Sequence, residues 1–438
     1  MLIEFRVENF LSIQDEQVLS MIASKDNTFF DSHTNGDEKL TLLKSSVIYG
    51  ANASGKTNII KALQTMKAIV ISSANTQRGD KLPITPFLLG DEDDKPTKFE
   101  IIFIQNDTKY QYGFILNSEK ILEEWLLVFG ENNTEPIWFE RIYNEKEGRY
   151  NYSFGDQFLA DEIYKQLWEN STRDNALFLS VAIQLNNEQL KPVFDFFLKY
   201  IRVNYIDNWS DVSKATMNIL QQDKQKIINY LKQADLDIED IIIEEKELDK
   251  TSLMQENIPQ EIKQMIQADL EKGVKLTKTD IKTMHTNQQG KQVLFDTLAL
   301  ESQGTRKFFG LIGPWIEALS QGCTIVVDEL NTHLHPLMTK FLVNLFHNED
   351  LNKSNAQLIF TTHDTSILNQ DVFRRDQIWF CEKQNKATKL YPLSDFEESE
   401  ESEERKDKTN LENDYLLGRF GALPYFKEIL SSWSDNES

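Results

Sequence analysis

Gly50-Ala51-Asn52-Ala53-Ser54-Gly55-Lys56-Thr57 decides the reading of this 438-residue chain, because it fits the pattern G-x-x-x-x-G-K-[ST] in the setting that the pattern requires. Ser46-Val47-Ile48-Tyr49 before it reads as a short buried strand, and Asn58-Ile59-Ile60-Lys61-Ala62-Leu63 after it opens an apolar-periodic helix. Glycines let such a loop curl until its N–H groups and the helix N-terminus face phosphate oxygens. Lys56 would reach the β and γ oxygens, and Thr57 would offer a hydroxyl to Mg²⁺. The expected cofactor-binding set is Gly50, Asn52, Ser54, Gly55, Lys56, Thr57 and Asn58. Four fixed positions recur by chance in roughly 2 of 100 chains this long, and the flanking strand and helix lower that figure further.

Composition bounds the rest. A hydrophobic share of 40% with 11% aromatics can supply real cores, so two or three domains are expected. No run of about 18 apolar residues occurs. The start, Met1-Leu2-Ile3-Glu4-Phe5-Arg6-Val7-Glu8-Asn9-Phe10, alternates like a strand and places charges where a signal peptide would be apolar. The expectation is a soluble chain with no membrane association. Cys323 and Cys381, the two cysteines, argue for a reducing compartment and thus the cytoplasm, and against a disulfide framework. The net charge of −23 is not confined to the acidic octet Glu397–Glu404; without it −17 remains. Such a chain repels a phosphate backbone unless a local basic patch overrides the field, so direct DNA binding is expected to be weak or to depend on a partner. Arg78/Lys81, Lys224/Lys226 and Lys272/Lys275/Lys278 are scattered candidates that read as solvated faces.

Along the chain, strand-like segments at 2–8 and 40–49 lead into the loop and a helix to about Ile71. Lys98–Ile104, Tyr110–Leu116, Ile121–Phe129 and Pro136–Tyr143 read as hairpin strands of an antiparallel lobe. From 158 to 235 the pattern is helical (Phe158–Asn170, Asn187–Tyr205, Val212–Ala234), followed by a strand-like Ile238–Ile243, a polar helix near Pro259–Lys272 and a hairpin-like pair ending at Thr297. The reading divides the chain into a nucleotide-binding N-terminal half with its β lobe at 1–155, an inserted mostly helical lobe at 156–290, a C-terminal half at 291–395, and an acidic linker with a C-terminal segment at 396–438.

Residues 323–329, 357–364 and 377–382 are short apolar runs that end in polar residues, as buried parallel strands do when they present functional groups at their carboxyl ends. The first ends in Asp328-Glu329. Asp328 would hold Mg²⁺, and Glu329 would polarise an attacking water as general base. The second ends in Thr361-Thr362-His363-Asp364, where His363 could hydrogen-bond a γ-phosphate. His333 and His335 could suggest a metal pair, but no cysteine or third histidine stands nearby in the sequence, so loop packing is preferred.

Leu300-Glu301-Ser302-Gln303-Gly304-Thr305-Arg306-Lys307 stands one helix (Phe308–Ser320) before the Asp328 strand. In this order the motifs resemble those of the ABC/SMC-type ATPases, whose signature motif places a Ser and a Gly at a helix N-terminus. Ser302 and Gly304 match it; Glu301, Gln303 and Thr305 depart from the transporter consensus. The resemblance implies an α/β P-loop NTPase with an ABC/SMC-like head, an antiparallel β lobe and an inserted helical lobe. It also implies ATP and Mg²⁺ as cofactors, Mg-dependent hydrolysis through Lys56, Glu329 and His363, and a homodimer or higher homo-oligomer in which Ser302 and Gly304 of one head bind the nucleotide of another. Asn331–Pro336 occupies the D-loop position. A Q-loop glutamine cannot be assigned, Gln77 being a candidate by position alone. ATP is favoured because no N-K-x-D guanine motif occurs.

The opening Phe5-x-Val7-x-Asn9-Phe10-x-Ser12, Leu334-His335-Pro336, Arg374–Phe380 with Glu382-Lys383, and Tyr415–Pro424 are similar to the RloA and PARIS AriA kind of bacterial AAA/ABC-type ATPase, relatives of the OLD family. This implies an anti-phage defence subunit that works with a separately encoded effector, a nuclease or other toxin, and answers to a phage protein trigger. The 56 residues after Glu382 contain no Asp-x-Asp, so no nuclease of OLD type is expected there. The alternative reading is an SMC/RecF-like DNA-binding ATPase of repair or maintenance.

Overall fold

Ser45–Tyr49 is buried at every position and lies inside a six-stranded sheet of the computed structural model, which describes residues 1–36, 39–90, 95–130, 137–204, 214–247, 260–272, 274–396 and 411–424. The acidic octet, Tyr425–Phe426 and the side chain of Lys278 lie outside the described residues. In spatial order the sheet runs Ile201–Asn204, Thr324–Val327, Gln357–Thr361, Ser45–Tyr49, Ile378–Gln384, Ala387–Pro392. The first five are parallel and the last antiparallel. Because parallel strands of this kind are covered on both faces, Thr324–Val327 and Gln357–Thr361 are also buried throughout. Their carboxyl ends bring Gly50, Asp328 and Thr361 to one edge of the sheet.

A seven-stranded antiparallel sheet follows the order Arg149–Phe154, Ile137–Asn144, Ile121–Phe129, Thr108–Leu116, Thr97–Gln105, Leu2–Glu8, Gln17–Ser20. The helix Lys56–Ser72 joins the two sheets through one core. It buries Ile59, Ile60, Leu63, Met66, Ile69 and Val70 among Phe5, Val7, Phe99 and Phe114 of one sheet and Ile48, Val326 and Ile359 of the other.

Two compact units form: Met1–Asp207 with Glu317–Thr332 and Thr339–Ser438, and Asn208–Ile316 with His333–Met338. Residues 156–204, grouped with the inserted lobe in the sequence reading, pack with the first unit. Ile201–Asn204, read as the end of a helix, instead pairs with Thr324–Val327 as the sheet's edge strand. The alternating Ile-Arg-Val-Asn run is too short to outweigh the helical pattern before it, and its strand partner stands about 120 residues away.

The second unit is not purely helical. Asp240–Glu247, Thr277–Thr286 and Gln292–Asp296 form a three-stranded antiparallel sheet beside the helices Lys214–Gln233 and Gln260–Glu271. Lys214–Gln233 breaks at Asp223 (φ −151°, ψ 77°), whose carboxylate accepts the N–H of Lys226 at 3.2 Å and so caps the second half. The helix Gln303–Gln321 contains Pro314, which cannot donate to the carbonyl of Gly310. Thr216 Oγ1 donates to that carbonyl instead, at 3.4 Å.

Candidate functional site

The loop Gly50–Gly55 is shaped by close approaches that forbid side chains. A Cβ on Gly50 would stand 2.1 Å from the Cys381 carbonyl oxygen; one on Gly55 (φ 112°) would stand 2.0 Å from Thr388 Oγ1. Thr388 therefore wedges behind the turn. Its hydroxyl donates to the Ser54 carbonyl at 2.9 Å, which leaves Ser12 Oγ as the donor in the 2.7 Å Ser12–Thr388 contact. Asn58 Nδ2 donates to Ser12 Oγ at 2.6 Å. The structure thus places Asn58 in a buttress behind the loop, while Asn52 is exposed at its apex.

Lys56 opens the helix and is buried. Its ammonium donates to the carbonyls of Gly50 at 2.8 Å and Ala51 at 3.1 Å, so the loop itself satisfies the cation. Burial pushes the Lys56 pKa down, opposed by the carboxylates of Glu329 and Asp328. Ser54 Oγ is buried with no hydrogen-bond partner, an orphaned donor inside the cradle.

Across the sheet edge, Thr57 Oγ1 donates to Asp328 Oδ2 at 2.7 Å. Thr361 Oγ1 donates to Asp328 Oδ1 at 2.5 Å and accepts the N–H of Glu329 at 2.7 Å. Thr361 closes the neighbouring strand and holds both acids in place; the sequence reading assigns it no role, although a hydroxyl ending the strand beside an Asp-Glu pair is a usable signal. Glu329 stands in left-handed backbone (φ 49°), and its carboxylate lies 3.5 Å from His363 Nε2. Burial and the Lys56 charge push the His363 pKa down, with Glu329 opposing, which favours the neutral imidazole. Lys56, Thr57, Asp328, Glu329 and His363 are brought together within the first unit.

Hard oxygen donors meeting beside a buried lysine and an orphaned hydroxyl fit a Mg²⁺-bound triphosphate. Thr57 and Asp328 would hold the metal; Lys56 and the loop N–H groups would hold the phosphates.

Ser302 and Gly304 stand in the second unit. Ser302 Oγ accepts the N–H of Thr305 at 3.1 Å, capping Gln303–Gln321, and a Cβ on Gly304 would come 2.8 Å from the His333 carbonyl oxygen. His335 Nδ1 accepts the N–H of Leu337 at 3.2 Å, at the start of the helix Pro336–His347. Gln77 is exposed beyond the far end of Lys56–Ser72, about 25 Å along the helix from the loop.

No curated protein matches the chain. Among solved structures it is similar to the SMC head domain from Thermotoga maritima, at 11% identity and a TM-score of 0.38 over 89% of this chain and 98% of that one. It is also similar to an SMC head bound to the C-terminal winged-helix domain of ScpA, at 12% identity and a TM-score of 0.34 over 92% and 99% of the two chains. A third similar structure is the recombination mediator protein RecF with ATP in the RecFOR pathway, at 15% identity and a TM-score of 0.32 over 89% and 97%. The family described as "AAA domain, putative AbiEii toxin, Type IV TA system" matches residues 45–369, most of the chain. The chain belongs to that family of P-loop ATPases.

Proposed function

We propose that the chain is a nucleotide-gated switch: an ATP-hydrolysing subunit that closes with a second copy around ATP and thereby holds or releases a separately encoded effector. The observation that carries this reading is the cluster in which Thr57 and Thr361 fix the two oxygens of Asp328 while Glu329 stands beside His363. When bound, ATP supplies the phosphoanhydride bond and Mg²⁺ offsets its charge. Glu329 would accept the proton of a water attacking the γ-phosphorus as the β–γ bridging P–O bond breaks and ADP leaves, while Lys56 would stabilise charge on the phosphate oxygens. Neutral His363 orients the Glu329 carboxylate. Ser302 and Gly304 would complete the site of the opposite head in a homodimer or larger assembly.

The family description, with its toxin and type IV toxin-antitoxin wording, supports a toxin-antitoxin setting; the motifs that resemble the RloA and PARIS AriA kind extend the proposal to a cytoplasmic defence role, with a nuclease or other toxin as effector and a phage protein as trigger. The SMC/RecF-like alternative, a clamp on DNA, would show steeply salt-dependent duplex binding, which a net charge of −23 opposes.

The test is the solution mass of Glu329→Gln protein with and without Mg-ATP. A doubling that Ser302→Arg abolishes is expected. No change in mass with ATP binding intact would sink the two-headed switch.

A further inference from the structure

Glu301 directly precedes Ser302, and the nucleotide-switch reading gives it no task. Only 8% of its side chain is exposed, while Ser302 stands exposed beside it. Its Oε1 accepts from two side chains of the strand Thr277–Thr286: the Thr283 hydroxyl, and His285 Nε2 at 2.7 Å. A carboxylate oxygen has no hydrogen to give, so His285 carries its proton on Nε2. Alternate residues of a strand share a face, which is why one carboxylate reaches both donors. Both donors are themselves held. Thr283 is buried and paired with Ile241 on one neighbouring strand and Phe295 on the other, and the His285 ring packs on Phe295 at 4.5 Å between centroids.

The three-stranded sheet thus grips the approach to Ser302 twice. The strand Gln292–Asp296 continues through the short helix Thr297–Leu300 into Glu301, and the Glu301 side chain reaches back to the middle strand. Closing the segment on itself removes backbone freedom at the point where Gln303–Gln321 begins. Ser302 caps that helix: besides accepting the Thr305 N–H, it offers its carbonyl to the Arg306 N–H at 3.0 Å. Ser302 Oγ and Thr305 Oγ1 lie 2.8 Å apart and share one hydrogen bond, so one hydroxyl hydrogen of the pair remains to be presented outward. The direction in which it points is set by the backbone that Glu301 pins.

We propose that Glu301 is a positioning residue for Ser302. The Thr283–Glu301–His285 clamp holds the start of Gln303–Gln321 in the pose that meets the nucleotide of a second copy, and through it the three-stranded sheet governs ATP-dependent pairing. The inference rests on the nucleotide-switch reading and adds to it a residue that acts on the partner copy's site, one step behind the hydroxyl that would touch the phosphate. Groups that orient a binding side chain from behind typically carry about 10- to 100-fold in affinity.

The test measures pairing and single-chain nucleotide binding separately. In the Glu329→Gln background, sedimentation with Mg-ATP should show pairing weakened at least tenfold by Glu301→Ala, whereas Glu301→Gln, whose amide oxygen still accepts both donors, restores most of it. Affinity for a fluorescent ATP analogue at protein concentrations too low for pairing should stay unchanged, since the phosphate loop belongs to the first unit. In chains with Glu329 intact, mixing Glu301→Ala with Lys56→Ala should give turnover well above the sum of the two alone, because the mixed pair joins the Lys56 of one chain to the intact clamp of the other. Circular dichroism verifies folding, and Thr283→Val, which leaves the carboxylate one donor fewer, serves as the second variant and should weaken pairing in the same direction. Ser302→Arg separates the two ideas. If it leaves pairing unchanged, the two-headed switch fails and this inference with it. If it abolishes pairing while folded Glu301→Ala or Thr283→Val pairs like wild type, the switch stands and the positioning role falls. Weakened analogue binding by the single Glu301→Ala chain, with no gain on mixing, likewise overturns the proposal and leaves Glu301 a structural pin.

Discussion

Thr361 is the residue on which the catalytic geometry turns. One hydroxyl donates to Asp328 and accepts from the Glu329 N–H, so it orients the proposed metal ligand and the proposed general base together. Valine has nearly the same shape and removes both bonds. Outer-shell partners of metal ligands typically carry about 10- to 100-fold in affinity or activity. Thr361→Val should therefore lower ATP turnover and raise the Mg²⁺ concentration for half-maximal activity by about that range, while Thr361→Ser restores most of it. Wild-type turnover in Thr361→Val would mean that the bridge plays no part. Residues in the motifs were legible because their spacing in sequence is itself the signal: Lys56 and Thr57 at a helix start, Asp328 and Glu329 at a strand end. Ser12 and Thr388 were not, because their roles arise only when segments far apart in sequence become neighbours, and Thr361 offered only the weaker signal of a hydroxyl at a strand end.

Elements are held by devices of the same non-local kind. Helix Phe178–Gln184 begins at Glu124 of the antiparallel sheet, which accepts the N–H groups of Phe178 at 2.6 Å and Leu179 at 3.0 Å and the Tyr112 hydroxyl at 2.9 Å. Arg141, fully buried at 3.8 Å from Glu124, donates to the carbonyls of Ala176 at 2.7 Å and Arg173 at 3.0 Å. Burial pushes the Glu124 pKa up, and Arg141 opposes this. Removing one member of a buried pair costs about 3 to 5 kcal/mol. Arg141→Met should lower the urea midpoint accordingly, and Arg141→Met/Glu124→Gln should regain part of the loss, since the neutral amide removes the unpaired charge and its oxygen still accepts the Leu179 N–H and the Tyr112 hydroxyl, while the Phe178 N–H loses its acceptor. An unrescued double variant would show that the arginine acts through its backbone contacts rather than through the charge of Glu124. Sequence periodicity exposed the strands here, because Tyr110–Leu116 and Ile121–Phe129 alternate or run apolar between clear turn signals. It misplaced Ile201–Asn204, a four-residue alternating run read as the end of the preceding helix until its pairing with Thr324–Val327 is seen.

For the molecule as a whole, the stability most exposed to mild acid lies away from the phosphate loop. His33 and His347 stack at 3.6 Å between ring centroids; His347 Nε2 contacts Ser45 Oγ at 2.8 Å, and His33 Nδ1 contacts Gln377 Oε1 at 2.9 Å. The pair thus joins the first residue of one central strand, Ser45, to the residue just before another, Gln377. Burial pushes His33 from 6.5 down to about 4, with Arg374 and Lys44 adding to the shift and Gln377 and Asp376 opposing it. Burial, His33 and Lys44 hold His347 well below its ordinary value. At these two sites the unfolded chain therefore binds more protons than the folded one between about pH 6.5 and 4, so the stability the pair contributes is fully present above 6.5 and falls as the pH drops through that window. His33 alone accounts for roughly 3 kcal/mol of loss by pH 4. Asp15, Asp26, Asp240 and Glu317, all held low, lose their contribution only as the pH falls below the ordinary carboxylate range. Glu124, raised by burial, works in the opposite direction. Urea midpoints measured from pH 7.5 to 4.5 should drop steeply below 6.5. His33→Gln/His347→Gln should be less stable at pH 7.5 yet lose less on acidification; an equally steep drop in that variant would place the acid-sensitive group elsewhere.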